Sequence, residues 1–445
     1  MLIIFLFLGF LLLVFNKNKW QNNVKLLLIL FPLFGLIANN LRPYSNLSTI
    51  FYDFILIIPI YLSILNKNFD SKNFQIMNAN LKFAFLFFIL IILAQLLNPF
   101  NSIPLLAKLV GLKVWLFYLL MISVGFYYIE SKKDVVIICK TLSKIAFIPC
   151  SIAILQFFLS FIFGFQEAMS LFYTQEVARA ATQNFTKFEI ASNIMLMRIP
   201  STFSFPAQFS NYLLFSFVPV LTAINFSKNK ERFFYIIIFL LIIFSSIASG
   251  MRGMYIYIPI FFIYYSIINS KVNKLILYGF ILLFALLIIY NLKLANINYL
   301  FEDIQRLIIS YSPTILEGGF KFLLDNFFGN GVGTATFQTH YITGKSVVVG
   351  PNLNESHFFK VIAELGFFGL VAILFLYFAI IKNLLICLKL EEDEGYKVFI
   401  SSFIAFYLLM LTINFKSMHI DLFPSNFLIY LFLGIILKLS KVENK

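Results

Sequence analysis

Charge is scarce in this chain. Charged residues make up 12% of its 445 positions, against 61% hydrophobic residues that include 59 phenylalanines. Soluble domains are about a quarter charged and roughly half apolar, and a water-exposed chain this greasy could not cover its surface with polar groups. The scarcity excludes a soluble enzyme, a nucleic-acid binder and a disordered protein. Cysteine is scarce too: Cys139, Cys150 and Cys387 form no CxxC pair and cannot all pair with one another, which removes a disulfide framework and a zinc site. They read as small core residues. The three histidines, His340, His357 and His419, have no metal-ligand spacing. No repeat of 20–50 residues and no Gly/Ser or Pro linker divides the chain, so residues 1–445 read as a single membrane domain. Met1–Phe15 lacks the basic start and small-residue cleavage site of a signal peptide and reads as a short, retained first span.

What is present is apolar length. A spanning helix needs about 20 apolar residues, and lipid leaves helices or a closed barrel as the ways to satisfy backbone polar groups. Thirteen candidate spans follow, within a range of 12–14: 2–15, 24–38, 49–65, 83–97, 112–129, 145–165, 207–225, 233–248, 254–269, 274–291, 366–385, 397–414 and 424–438. The runs are too continuous for barrel strands. The expected fold is therefore an all-α polytopic integral membrane protein.

Lysine orients it. With the 16–23 loop in the cytoplasm, the basic clusters at Lys17/Lys19, Lys67/Lys72, Lys132/Lys133, Lys228/Lys230, Lys271/Lys274 and Lys438/Lys441 all fall inside. The net charge of +14 then reflects cytoplasmic loops. The N-terminus is expected outside and the C-terminus inside. Two long extracytoplasmic loops result, 166–206 and 292–356, and long loops in a compact protein tend to carry function. Lysines divide 20 inside to 8 outside, whereas Arg42, Arg179, Arg198, Arg252 and Arg306 are outside and Arg232 alone is inside. Arginine is suited to bidentate phosphate recognition, so this skew points to a phosphate-bearing substrate at the outer face.

Particular segments sharpen that expectation. Ser249-Gly250-Met251-Arg252-Gly253 forms a tight external turn, with Arg252 at a helix start where free N–H groups favour an anion; an arginine snorkelling to the interface is the plainer reading. Arg198 opens Arg198-Ile199-Pro200-Ser201-Thr202-Phe203-Ser204-Phe205-Pro206, a rigid approach to a span, either as ligand or as interfacial anchor. Arg306 sits in an amphipathic stretch, 298–310, with Glu302 and Asp303 placed to pair with it. Gly329-Asn330-Gly331-Val332-Gly333-Thr334 lacks the ending of a phosphate loop and reads as a flexible turn returning the loop to the membrane. A helix is expected to start near Ser356. Glu355 and His357 are the groups there able to take a proton from a sugar hydroxyl, although Glu355 could pair with an arginine and His357 could be structural. Gly366 and Gly369 suit close helix packing. Asp53 lies near the outer end of its span, and the acidic run Glu391–Glu394 reads as solvated. No Asp-x-Asp occurs, which argues against a metal-dependent sugar transferase.

Taken in order, these motifs resemble the O-antigen polymerase and O-antigen ligase superfamily. The features are Arg-x-x-x-Thr-Phe-x-x-Pro before a span, Ser-x-x-Arg-Gly between spans, a Gly-x-Gly-x-Gly turn in a large external loop, and Glu-Leu-Gly-x-x-Gly-Leu opening a helix. They cover roughly residues 145–385, and Gln156 fits as well. Ser201 stands where the family usually has Gly, and the spacing of Arg306 to the glycine turn is not the usual one. The resemblance implies a GT-C-like glycosyltransferase of the bacterial inner membrane. It would be metal-independent and inverting, need no cofactor, and take its donor glycan from undecaprenyl diphosphate. It assigns catalytic roles to Arg252, Arg306 and Glu355, and substrate contacts to Arg198, Arg179, His357 and Gln156. Glu355-Ser356 at the position of the ligase His-Asn pair is similar to polymerases. The favoured reading is thus a polymerase of O-antigen or capsular polysaccharide repeat units, with the lipid-linked oligosaccharide and a chain-length regulator as partners. The alternatives are a ligase moving glycan to lipid A core or to protein, and a flippase for the same lipid-linked sugar.

Overall fold

Long apolar runs become helices because each backbone N–H then finds its acceptor inside its own segment. The computed structural model describes residues 20–40, 53, 57–66, 78–99, 101, 103–184, 187–191, 194–251, 253–269, 319–336, 339 and 356–442. Fourteen helices are used here: α1 (Trp20–Asn40, with a 3-10 turn at Phe31–Leu33), α2 (Ile58–Asn66), α3 (Ala79–Leu96), α4 (Leu105–Tyr128, with a 3-10 turn at Phe117–Leu120), α5 (Lys132–Phe163), α6 (Phe165–Ser170), α7 (Gln175–Asn184), α8 (Pro206–Asn225), α9 (Asn229–Ala248), α10 (Met254–Ile268), α11 (Gly319–Asp325), α12 (His357–Leu390), α13 (Glu394–Ile413) and α14 (Ser425–Val442). Eight of them, α1, α3, α4, α5, α8, α9, α12 and α13, are long and apolar enough to cross a membrane, while α10 is a shorter apolar helix. The protein is a helical, multi-pass membrane protein. The expected spans 2–15 and 274–291 lie outside the described residues. In the 166–206 loop, β1 (Lys187–Ala191) pairs antiparallel with β2 (Ile194–Met197), Lys187 opposite Met197, with a bulge between Glu189 and Ala191.

Burial sorts the helices. α8 and α13 are hidden along most of their length, and they hold the centre with α14. α3, α5 and α9 turn apolar faces outward: Phe83, Leu86 and Leu90, then Phe161 and Ile162, then Phe233 and Leu240 are all exposed. Such faces suit lipid and not water. α4 and α14 approach until their backbones nearly touch, since a Cβ on Gly125 would fall 1.9 Å from the Leu431 carbonyl and one on Gly434 2.0 Å from that of Ile122.

Cross-helix contacts sort the ends as well. At one end, Lys132 pairs with Glu391 at 3.0 Å, Lys140 with Glu231 at 2.9 Å, and Asn78 Nδ2 donates to Asn383 Oδ1 at 2.8 Å. The expected solvated acidic run is therefore partly structural: Glu391 is buried against Lys132, and Asp393 caps α13 through the N–H groups of Gly395 and Tyr396. At the other end, Ile199 N–H donates to the Ser249 carbonyl at 3.0 Å and Leu36 N–H to that of Thr202 at 2.8 Å. The arginine- and glycine-rich motifs gather at this second end, called the site end below.

Candidate functional site

α12 is not a straight rod. Gly366 takes φ +71°, ψ −164°, and the helix breaks there. The chain folds back so far that His357 Nε2 lies 2.8 Å from the Tyr377 hydroxyl. Twenty residues of unbroken helix would hold them about 30 Å apart. Glycine is required at the break, because a Cβ at Gly366 would sit 2.5 Å from the Phe327 carbonyl oxygen. Gly369 is needed with it: a Cβ there would lie 2.1 Å from that of Leu365. The pair therefore makes a reversal rather than the helix–helix contact expected from sequence.

The folded-back stretch, 357–365, carries three polar side chains on one face, at spacings of three and four. His357, Lys360 and Glu364 are all buried. His357 Nδ1 faces Asp421 Oδ2 at 3.2 Å; a carboxylate can only accept, so Nδ1 carries a proton, and Nε2 shares a hydrogen bond with the Tyr377 hydroxyl. Lys360 Nζ donates to the same Asp421 oxygen at 2.8 Å and lies 4.3 Å from the centre of the Trp115 ring. Trp115 Nε1–H donates to Glu364 Oε2 at 2.6 Å. Burial alone would raise the Asp421 carboxyl, but Lys360 and His357 outweigh it and hold it well below the usual carboxylate range. Ser356 precedes the helix as expected, yet its hydroxyl donates to the Asn414 carbonyl at 3.3 Å and caps nothing in its own helix.

Glu364 also holds the glycine-rich turn. Its Oε1 accepts from Ala335 N–H at 2.9 Å and from the Thr336 hydroxyl at 2.8 Å. Asn330 N–H donates to the Ala363 carbonyl, Gly331 N–H to the Glu364 carbonyl, and Phe367 N–H to that of Phe327. From the other side, Asn101 Nδ2 donates to the Val332 carbonyl at 3.2 Å. The expectation of a flexible turn is overturned: 329–336 is a bolted junction among the ends of α3, α4 and α12.

The Arg198 segment is wedged with equal care. Ser201 adopts φ +54°, and its carbonyl receives the Gln156 side-chain amide at 3.2 Å and the Tyr173 hydroxyl. Ser201 Oγ donates to the Pro149 carbonyl, and Pro149, lying inside α5, offers no N–H of its own. Arg198, half-buried, begins this wedge. The Ile199–Ser249 bond sets it beside the turn that bears Arg252, where Gly250 takes φ +66°. Tyr257, one turn into α10, meets the His419 ring edge-on at 6.2 Å, which links that turn to the Asp421 cluster. His419 is buried with Asn211, and burial, with Lys416 adding to it, pushes its imidazole down to about 4. Arg179 is exposed on α7 and pairs with no carboxylate among the described residues.

Of the expected site residues, Arg198, Arg179, His357 and Gln156 fall at the site end; Arg252, Arg306 and Glu355 lie outside the described residues. Gln156 touches the wedge backbone, and both ring nitrogens of His357 have protein partners. Trp115, Lys360, Glu364 and Asp421 were not singled out from sequence as a cluster. The signal was there, since Lys360 and Glu364 are charges in an apolar helix at helical spacing from His357. Asp53, near the same end, is paired with Lys113. No group of three or more His, Cys, Asp or Glu side chains placed to hold a metal occurs among the described residues. No protein-family model matches this chain, and no curated protein matches it.

Proposed function

We propose that this protein is a GT-C-like glycosyltransferase of the bacterial inner membrane, with about 13 spans, its N-terminus outside and its C-terminus in the cytoplasm. It polymerises O-antigen or capsular repeat units carried on undecaprenyl diphosphate. One observation carries the reading: the hydrogen bond from Ile199 N–H to the Ser249 carbonyl, at 3.0 Å, holds the Arg198 wedge against the turn that bears Arg252. Two arginine-bearing segments distant in sequence thus meet at one end of the bundle, as a diphosphate would require. The lysine-rich character of the opposite end supports the orientation.

In the proposed reaction, a hydroxyl oxygen of the incoming repeat unit attacks the anomeric carbon of the growing glycan. The bond from that carbon to the diphosphate oxygen breaks, and undecaprenyl diphosphate leaves with its charge stabilised by Arg252 together with Arg306 or Arg198. Glu355 takes the hydroxyl proton. His357, already bonded on both sides, positions the start of α12 next to Glu355 rather than meeting substrate.

A second reading, a flippase for the same lipid, draws support from the break at Gly366, because discontinuous helices line transporter sites. Against it, Lys113, which with Lys108 could line a path through the membrane for a charged substrate, is already paired with Asp53. The deciding assay supplies purified protein with undecaprenyl-diphosphate repeat unit alone and reads a gel ladder. A ladder is the expected result. Transfer only after lipid A core is added would make the protein a ligase, and sugar movement across a vesicle bilayer with no new glycosidic bond would make it a flippase.

A further inference from the structure

The lysine-rich end holds a feature that glycan transfer does not use. A cavity of about 310 Å³ opens between the start of α3 and the later part of α12. Phe375, Phe378 and Ile386 form its apolar wall, and Asn78, Asn80, Lys382 and Asn383 line its polar side. The apolar wall is continuous with exposed Phe83, which packs edge-on against Phe375 at 6.0 Å. Phe378 is 64% exposed, so the wall belongs to the surface that lipid covers.

The polar side is built for a negative group. Among the described residues, no carboxylate lines the cavity and exposed Lys382 pairs with none. Asn78 precedes α3 but its side chain does not cap it, and its Nδ2 donates across to Asn383 Oδ1 instead. The first N–H groups of α3 therefore face the cavity region without a side-chain acceptor. Burial, and after it Lys82 and Lys438, disfavours the charge of Lys441, and Lys438 and Lys441 both rest on the Phe126 ring.

We propose that the groove between α3 and α12 seats an anionic glycerophospholipid. Its phosphate lies on Lys382 and the Asn78–Asn80 turn, and an acyl chain lies along Phe375, Phe378 and Ile386. Charge complementarity chooses the occupant: a zwitterionic headgroup would bring its own cation toward Lys382 and the lysine cluster, whereas an anionic headgroup brings only the phosphate they lack. The apolar wall chooses a lipid over a soluble phosphate.

Native mass spectrometry of the full chain, released from nanodiscs of phosphatidylglycerol and phosphatidylcholine, tests this without any glycan substrate, so it stands or falls apart from the glycosyltransferase reading. Wild type should retain phosphatidylglycerol about fivefold better, which matches the ~1 kcal/mol of one lysine near an anionic surface. Lys382→Glu should erase the preference, and so should Asn80→Asp, which puts a carboxylate into the groove at an exposed position. Lys389→Glu, on the same helix but outside the groove, should keep it. Equal retention of the two lipids by wild type would overturn the proposal. So would a Lys389→Glu loss as large as that of Lys382→Glu, or displacement of the lipid by free glycerol phosphate.

Discussion

His357 and Tyr377 belong to one helix by sequence and touch as partners across a fold: Nε2 and the hydroxyl are 2.8 Å apart. That contact exists only because the chain reverses at Gly366. The reversal packs His357, Lys360 and Glu364 inward, where Asp421 and Trp115 receive them.

Gly366→Ala should undo the reversal. The residue sits at φ +71°, and the added carbon would meet the Phe327 carbonyl at 2.5 Å. A loss of at least ~1–3 kcal/mol is expected, read as a lower unfolding temperature in detergent. An unchanged unfolding temperature would mean that the helix tolerates another path.

Asp421→Asn leaves Lys360 buried with no counter-charge. The expected cost is ~3–5 kcal/mol, and Lys360→Met in the same chain should recover much of it. If the double variant is no better than the single one, Asp421 matters for some reason other than neutralising Lys360.

The same carboxylate predicts an acid limit. Its folded-state pKa is depressed by Lys360 and His357 against the effect of burial. Its contribution is therefore full above the ordinary value near ~4 and is lost as pH falls below it. Thermal scans between pH 5 and pH 3 should show this loss in wild type and a flatter profile in Asp421→Asn.

His419 acts in a higher window and for a different reason. Burial lowers its pKa from 6.5 to about 4, so the unfolded chain takes up the proton first. Stability is full above pH 6.5 and declines as pH drops toward 4. His419→Gln should flatten that stretch of the curve; a decline of unchanged slope would place the titrating group elsewhere.

Arg252→Lys keeps the charge and removes the planar fork. Under the proposed reaction, polymer formation should fall ~100-fold or more while membrane insertion stays normal. Ladder formation at the wild-type rate would remove the diphosphate role.

The helices were legible because apolar length is written directly into sequence: the expected runs 207–225, 233–248 and 397–414 match α8, α9 and α13 to within a few residues. The partners of the polar residues were less legible. Trp115 and Glu364 are 249 positions apart, and nothing local announces that an indole N–H will find that carboxylate. The glycine turn was misread for a related reason. Gly329, Gly331 and Gly333 do take positive φ, which alone suggests looseness, but the bonds that bolt the turn come from α3, α12 and Asn101. Ser201 likewise hides its importance, since its role rests on Gln156, Tyr173 and Pro149.

The junction at 329–336 also bears on how the protein can be altered without harm. Asn330 N–H and Gly331 N–H are in register with two successive carbonyls, while Ala335 and Thr336 meet the Glu364 side chain. One inserted or deleted residue would put every later partner out of step. Epitope tags, reporter fusions and natural length differences belong on other stretches, and a topology map made by insertion at this turn would report a broken protein instead of a side of the membrane.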